Sequence, residues 1–211
     1  MDTKDKMMTQ TPLALITGGA QGIGYACAEA LKEDGFDVIL ADINAEGVAE
    51  AGDKLGAVAA ITCDMGDVSQ IEAMFARIAE DHGPLSALVN NAGVAMPGDF
   101  LSYDLESWER VIDINLRGVF LATQTAARSM VENGIEGAIV NMSSINATVA
   151  PADTAASTST NGSASGDGRD QNVPSMTART ARSPSSSMAA TSTSTVGSVE
   201  TGVAVVVRAV S

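Results

Sequence analysis

A glycine-rich turn directly follows the first apolar segment and constrains the fold more than any other feature. The apolar run at residues 13–16 leads into Thr-Gly-Gly-Ala-Gln-Gly-Ile-Gly at residues 17–24, and a helical stretch follows. Gly18, Gly22 and Gly24 permit a tight turn and a close backbone approach to a ligand. The next helix then offers free N–H groups and a partial positive charge, which suit a nucleotide pyrophosphate. By itself, such a turn is also compatible with an ordinary strand–turn–helix.

An aspartate at the end of the second apolar run indicates which cofactor the turn would serve. Asp42 follows the apolar residues 38–41, about twenty residues after the turn. A carboxylate there accepts hydrogen bonds from both ribose hydroxyls of an adenosine and repels a 2′-phosphate. Neither Gln21 nor Ile43 is an Arg or Lys that would attract that phosphate. The pattern predicts NAD(H) rather than NADP(H); a solvated strand-end acid is the alternative role of Asp42.

Further motifs follow at a characteristic spacing. They are Asp64 after a third apolar run, Asn90-Asn91-Ala92-Gly93 after a fourth, Asn115 within Asp113-Ile114-Asn115-Leu116, and Ser144 within Asn141-Met142-Ser143-Ser144. Through these motifs and the glycine turn, residues 11–145 resemble the classical short-chain dehydrogenase/reductase family. The order and spacing of the motifs are far more specific than the turn alone.

The resemblance implies an enzyme that transfers hydride between NAD(P)(H) and an alcohol or ketone. It implies that Asp64 meets the adenine amino group and that Asn91 to Gly93 line the adenosine pocket. It also implies that Asn115 helps to hold a proton-relay water and that Ser144 orients the substrate, which makes these two the candidate catalytic residues. The candidate cofactor-binding residues are Gly18, Gln21, Gly22, Ile23, Gly24, Asp42, Ile43, Asp64, Met65, Asn91, Ala92 and Gly93.

The catalytic Tyr of the family, and the Lys four residues after it, are missing. They would fall near residues 156–162, which read Ala-Ser-Thr-Ser-Thr-Asn-Gly; no Tyr follows Tyr103 and no Lys follows Lys54. Hydride transfer to a carbonyl needs a proton donor beside the developing alkoxide. A phenol, with a pKa of about 10, serves when an ammonium is near. An aliphatic hydroxyl at Ser157 or Thr158 is far less acidic, so we predict that this chain is inactive.

The composition changes at the same point. Residues 151–195 are dominated by Ser, Thr, Ala, Gly and Arg, and they lack helical or strand periodicity. Such a segment buries too little apolar surface to offset chain entropy. We therefore divide the chain into an NAD(P)-binding Rossmann domain at residues 11–150 and a disordered or irregular, low-complexity tail at residues 151–211. Within the tail, residues 203–210 have the composition of a strand but no obvious partner.

Three explanations of this switch stay open. A reading-frame shift near Ala150 is the one we favour; a genuine divergent tail and a pseudoenzyme that lost its catalytic half are the others. The chain is therefore either an NAD(P)-dependent oxidoreductase by descent that is itself inactive, or a non-catalytic dinucleotide-binding or interaction protein with a disordered tail.

The alternation of apolar runs with helical segments predicts an α/β fold, a Rossmann-like doubly wound parallel sheet. The sheet is expected to be incomplete, because the last two strands of the family are absent. The predicted strands are Leu13–Thr17, Asp37–Asp42, Ala57–Cys63, Ala87–Asn90 and Ala138–Met142. The predicted helices are Gly22–Asp34, Ala45–Leu55, Val68–Asp81 and Leu105–Glu132. Ligands of such folds lie beyond the carboxyl ends of the strands, where Gly18, Asp42, Asp64, Asn91 and Ser144 fall.

Bulk properties exclude several classes of partner. The formal charge of −14 argues against nucleic acid and anionic membranes. Cys27 and Cys63 stand in different predicted elements and are expected to be reduced thiols, and His82 is expected to cap a helix, so no metal site is predicted. The absence of a signal peptide and of a membrane-spanning segment predicts a cytoplasmic protein.

The substrate class follows from the resemblance alone. It implies a small-molecule alcohol or ketone; a sugar, a hydroxy acid, a steroid and a β-ketoacyl thioester are all compatible. Relatives form homo-oligomers, but the missing C-terminal elements supply much of their interface, which argues against that assembly here.

Overall fold

The described part of the chain is a β-sheet with helices on both faces. A computed structural model describes residues 11–143 and the backbone of residues 204–208. The elements are β1 (Leu13–Thr17), α1 (Gly22–Glu33), β2 (Asp37–Asp42), α2 (Ala45–Leu55), β3 (Ala59–Thr62), α3 (Val68–Asp81), β4 (Ala87–Asn90), α4 (Leu105–Ile112), a π-helical segment (Asp113–Gly118), α5 (Val119–Glu132), β5 (Ala138–Met142) and β6 (Ala204–Arg208).

The strand order confirms the predicted Rossmann-like fold. The strands lie in the order β3-β2-β1-β4-β5-β6. The first five are parallel, and β6 pairs antiparallel with β5. The chain moves outward from β1 to β3 and then returns to the other side of β1 for β4. The order therefore reverses between β1 and β4, and ligands of doubly wound folds bind at the carboxyl side of such a switch point.

Both faces of the sheet are buried. Successive residues of a strand point to opposite faces, so Leu15 packs in one core cluster while Ala14 and Ile16 pack in the other. The first cluster includes residues of α3 and α5, and the second includes residues of α1 and α2. This explains why the strands read as continuous apolar runs rather than as alternating ones.

Three helices begin at side chains that accept hydrogen bonds from the first turn. Asn44 caps α2, Asp67 caps α3 and Asp104 caps α4. A cap of this kind contributes about 1 kcal/mol. Gly56 ends α2 with a left-handed φ of 66°. These local signals account for the agreement between the predicted and observed bounds of α2 and α3.

The structure corrects several predicted elements. β3 is shorter than predicted, and α1 ends one residue earlier. The single helix predicted at Leu105–Glu132 is two α-helices joined by the π-helical segment. A Cβ on Gly118 would lie 2.1 Å from the Met65 carbonyl oxygen, so this segment approaches the loop after β3 closely. β6 has a partner, β5, that the sequence did not indicate. The tail predicted to be disordered or irregular, residues 151–211, lies outside the described residues except for the backbone of β6.

The described residues also bear on membranes and metals. Of their helices, none is long and apolar enough to cross a membrane. In the same residues, no group of three His, Cys, Asp or Glu side chains is arranged to hold a metal ion.

Candidate functional site

A cleft of about 440 Å³ opens at the carboxyl ends of β1 to β4, which is within the size range of small-molecule sites. Its wall is formed by Gly18, Gln21, Gly22, Ile23, Asp42, Ile43, Cys63, Asp64, Met65, Asn91, Ala92, Gly93, Val94, Arg110 and Ile114. The structure thus brings together all the candidate cofactor-binding residues except Gly24.

The glycines of the turn have distinct roles. Gly18 and Gly22 adopt left-handed φ values of 65° and 58°, which favour glycine. A Cβ on Gly22 would meet no atom within 4 Å, so the turn is open there. Gly24 is buried beneath it: a Cβ would lie 2.1 Å from the Gly18 carbonyl oxygen and 2.5 Å from Asn91 Nδ2. Gly24 therefore does not line the cleft. Its lack of a side chain lets α1 pack closely against the turn.

The N-terminus of α1 differs from those of the capped helices. Its N-cap residue, Gln21, makes no side-chain cap hydrogen bond. The first N–H groups of a helix have no intrahelical partner, and phosphate oxygens accept from such groups readily. The open turn at Gly22 and this uncapped terminus therefore fit the pyrophosphate of a dinucleotide.

The Asp42 carboxylate joins the turn to the loop after β2. It accepts a hydrogen bond from Ala20 N–H at 3.1 Å and another from Asn44 N–H at 3.0 Å. Each bond uses a different carboxylate oxygen, so each oxygen keeps a lone pair for a further donor. Because Asp42 lines the cleft, ribose hydroxyls are donors that fit this position.

Asn91 and Thr17 fix the turn against β4. Asn91 Nδ2 donates to the carbonyl oxygens of Thr17 at 3.1 Å and Gly18 at 3.0 Å. Thr17 Oγ1 accepts from the N–H groups of Asn91 and Ala92, both at 3.1 Å. These bonds span more than seventy residues of chain, as the separations of 73 to 75 show. Asn91 therefore shapes the turn as well as lining the cleft, a role that the resemblance did not assign.

Asn115 lies in the π-helical segment and holds the loop after β4. Its Nδ2 donates to the Val94 carbonyl at 2.8 Å, and its Oδ1 accepts from Val94 N–H at 2.9 Å. Val94 and Ile114 line the cleft, whereas Asn115 itself does not. π-Helical turns occur often at functional sites. Ser144, the other candidate catalytic residue, lies outside the described residues.

Sequence reasoning did not identify Arg110 and Cys63 as parts of the wall. Burial, and secondarily the charges of Asp64 and Asp67, raise the pKa of the Cys63 thiol to about 11, so this thiol is neutral near pH 7. Arg110 forms an ion pair with Asp64, 46 residues away. The apolar run before Asp64 could have indicated Cys63; no local pattern indicates Arg110.

His82, Tyr103 and Trp108 do not line the cleft. His82 is the C-cap residue of α3, and its N–H donates to the Ile78 carbonyl at 2.9 Å. The Tyr103 hydroxyl donates to the Met96 carbonyl. Trp108 is partly buried in α4.

The strand order and the cleft at its switch point define a protein of Rossmann-like fold. The sequence profile of the short chain dehydrogenase family matches residues 12–164, and the chain belongs to that family. The match runs past residue 145, where the recognisable motifs end, and through the positions that lack the Tyr and Lys. Proteins of this family are oxidoreductases that bind NAD(P).

Similarity to individual proteins supports the same family assignment. The chain is 40% identical over 142 residues to D-threitol dehydrogenase of Mycolicibacterium smegmatis, covering 65% of this chain and 54% of that one. It is 35% identical over 139 residues to galactitol 2-dehydrogenase of Agrobacterium fabrum, covering 65% and 54%. Acetoin dehydrogenase of Salmonella typhimurium has a similar structure, with a TM-score of 0.67, 27% identity, and coverage of 72% and 62%. The chain thus spans little more than half the length of the curated relatives it matches.

Proposed function

We propose that this chain binds NAD(H) in preference to NADP(H) and that, as written, it does not turn over alcohols or ketones. The relatives named above are dehydrogenases of polyols and of acetoin. A small polyol is accordingly the alcohol class that the intact site would take. When bound, the nicotinamide supplies the hydride acceptor or donor of such a reaction.

The observation that supports the cofactor preference is the position of Asp42. Its carboxylate lines the cleft, and two backbone N–H groups fix its orientation. Ribose hydroxyls would donate to this carboxylate, whereas a 2′-phosphate would place a second negative charge beside it. Ile43, the next residue along the chain, and Gln21, a wall residue of the glycine turn, carry no positive charge.

The inactivity follows from the lack of a proton donor. The wall of the cleft contains no Tyr, Lys or His among the residues that the structure describes. Tyr25 packs at the core cluster of α1 and α2, with Lys54 Nζ 5.0 Å from its ring centroid. The Tyr103 phenol donates to a backbone carbonyl. Without an acidic group at residues 156–162, a developing alkoxide has no donor.

Titration of the purified 211-residue chain with NADH and NADPH, followed by nucleotide fluorescence, tests the preference. We expect NADH to bind about tenfold more tightly or better, because hydrogen bonds to a charged group contribute about 1.5–3 kcal/mol. Asp42→Ala should weaken NADH by about tenfold and relax the discrimination. Asp42→Asn keeps one acceptor oxygen and should relax the discrimination with less loss of affinity.

The matched control is Asp37→Ala, at the other end of β2, which should leave both affinities unchanged. Thermal melts of each variant separate a loss of ligand contacts from a loss of folding. Equal affinity of the unmutated chain for the two nucleotides would contradict the proposed preference.

A further inference from the structure

The guanidinium of Arg110 holds the Asp64 carboxylate at the wall of the cleft. Arg110 lies in α4, and Asp64 follows β3. Arg110 Nη1 is 3.0 Å from Asp64 Oδ2, and Arg110 Nη2 donates to Asp64 Oδ1 at 3.1 Å. Two parallel contacts of this kind fix a carboxylate in one orientation, which a single ammonium does not do.

The residues around the Arg110–Asp64 ion pair support it and leave room for it. The N–H of Gly66 donates to Asp64 Oδ1 at 2.8 Å. A Cβ on Gly66 would lie 2.6 Å from Arg110 Nη1, so glycine leaves the room that the guanidinium occupies. The Arg110 and Asp64 side chains are 34% and 21% exposed, against 66% and 48% for Arg77 and Asp81, an ion pair on the surface of α3. The Arg110–Asp64 pair is therefore better shielded from solvent.

The position of Asp64 along the sheet edge indicates which part of a nucleotide it meets. The neighbouring strands β1 and β2 end at the glycine turn and at Asp42, and Asp64 lies two residues beyond the end of β3. Strands lie about 4.8 Å apart, so the three positions form a row of about 10 Å. With phosphates at the turn and ribose at Asp42, the base would lie beside Asp64. The exocyclic amine of adenine is a hydrogen-bond donor, and a carboxylate can accept a hydrogen bond from it.

The hydrogen bonds already made leave one oxygen of Asp64 for this amine. Oδ1 accepts from Gly66 N–H and from Arg110 Nη2, which uses both of its lone pairs. Oδ2 is paired with Arg110 Nη1 and keeps a second lone pair. The orientation of Oδ2 depends on Arg110.

We propose that Arg110 is a positioning residue of the base subsite: it aims Asp64 Oδ2 at the exocyclic amine and so makes the cleft select adenine. The inference rests on the proposed binding of NAD(H). Among the wall residues that the structure describes, Arg110 is the one cation, and its charge offsets that of Asp64. A base with a carbonyl in place of the amine would place an acceptor oxygen against Asp64 Oδ2, which is also an acceptor.

Binding of NADH and of its hypoxanthine analogue, in which that carbonyl replaces the amine, tests the proposal. We expect the unmutated 211-residue chain to prefer NADH about tenfold. Arg110→Met should reduce the preference to less than about threefold, since Asp64 is no longer held. Arg110→Lys keeps the positive charge without the bidentate contact and should reduce the preference for NADH similarly. The control is Arg117→Met, which removes the partner of Asp113 one helical turn away and should keep the full preference.

The outcomes separate the two proposals. An unmutated chain that binds no NADH overturns the proposed function, and this inference with it. If the unmutated chain binds NADH and the analogue equally, this inference is overturned and the proposed function is not. Arg110→Met and Arg110→Lys could lower the affinity for both nucleotides while the ratio of the two affinities stays constant. In that case Arg110 has only a structural role, and the proposal is overturned. Melting curves identify any variant that does not fold, and Arg110→Lys is the variant in which the charge survives.

Discussion

The cofactor side of the cleft and its substrate side differ in how much of their chemistry the chain retains. On the cofactor side, the glycine turn, Asp42 and Asp64 are each held by backbone or side-chain hydrogen bonds. On the substrate side, the Tyr and Lys of the family are missing near residues 156–162. Binding and proton transfer thus belong to separate stretches of chain in this fold, so that one can be kept without the other.

The base of the substrate side is nevertheless in place. Asn90 Nδ2 donates to Asn141 Oδ1 at 2.8 Å and to Thr123 Oγ1 at 3.0 Å, which joins β4, β5 and α5. Asn90 is buried, and its Oδ1 has no hydrogen-bond partner among the residues that the structure describes. The described sheet therefore extends to the strand that precedes Ser144, so the proposed inactivity rests on the missing Tyr and Lys rather than on the strands.

The largest expected effect is on turnover. The chain should show no appreciable NAD(H)-linked reaction with polyols, secondary alcohols or ketones, because general acid–base catalysis contributes roughly 10²–10⁴ in rate and its donor is missing. The measurement is NADH absorbance with the purified 211-residue chain and a substrate panel. The control is NADH binding to the same preparation, which shows that the cofactor side is folded.

One result would contradict this contrast between the two sides. Robust turnover that is abolished by Ser144→Ala and unaffected by deletion of residues 151–211 would mean that another group, such as Tyr103, supplies the proton. Restoration of a Tyr and a Lys near residues 157 and 161 by correction of the reading frame should, in contrast, restore activity.

Much of the cofactor side could be predicted from sequence, because its signals are local. β1, β2, β4 and β5 are apolar runs between turn residues, and their predicted bounds are those observed. Most of the wall residues followed from motifs at strand ends; Cys63, Val94, Arg110 and Ile114 did not. Ser144 and the tail at residues 151–211, apart from the backbone of β6, lie outside the described residues, so what was predicted for them stays a prediction.

Contacts between distant segments could not be predicted in this way. The π-helical segment accompanies a close approach of Gly118 to Met65, which no helical periodicity shows. The pairing of Arg110 with Asp64 joins residues 46 positions apart. Both features depend on how α4 and the π-helical segment pack against the loop after β3.

The next largest effect concerns the glycine turn of the cofactor side. Gly24→Ala should lower NADH affinity by more than about tenfold, because its Cβ would lie 2.1 Å from the Gly18 carbonyl oxygen and force α1 away from the turn. Overpacking of this kind costs about 1–3 kcal/mol, of which each 1.4 kcal/mol lost from binding is tenfold. Fluorescence titration and a denaturant melt measure the two effects.

The matched control is Gly35→Ala, just beyond the other end of α1. Gly35 has a left-handed φ of 89°, and a Cβ there would meet no atom within 4 Å, so the substitution strains only the backbone. It should lower stability by about 1 kcal/mol and leave NADH affinity unchanged. Equal losses of affinity in the two variants would show that the packing of α1 against the turn is not what the cofactor side requires.

The smallest effect concerns the two cysteines. Burial raises the pKa of both thiols, and that of Cys63, in the wall, rises from 9.0 to about 11. Below about pH 8, Cys63 should then hold about a hundredfold less thiolate than an ordinary cysteine, and alkylation should modify Cys27, which is only partly buried, first.

Because the folded state favours the neutral Cys63 thiol, its contribution to stability is complete below pH 9 and falls as the pH rises toward 11. Peptide mass mapping after iodoacetamide treatment orders the two sites, and Cys63→Ala should flatten the alkaline loss of stability. Faster labelling of Cys63 than of Cys27 would mean that the wall beside Asp64 opens to solvent and would contradict this prediction.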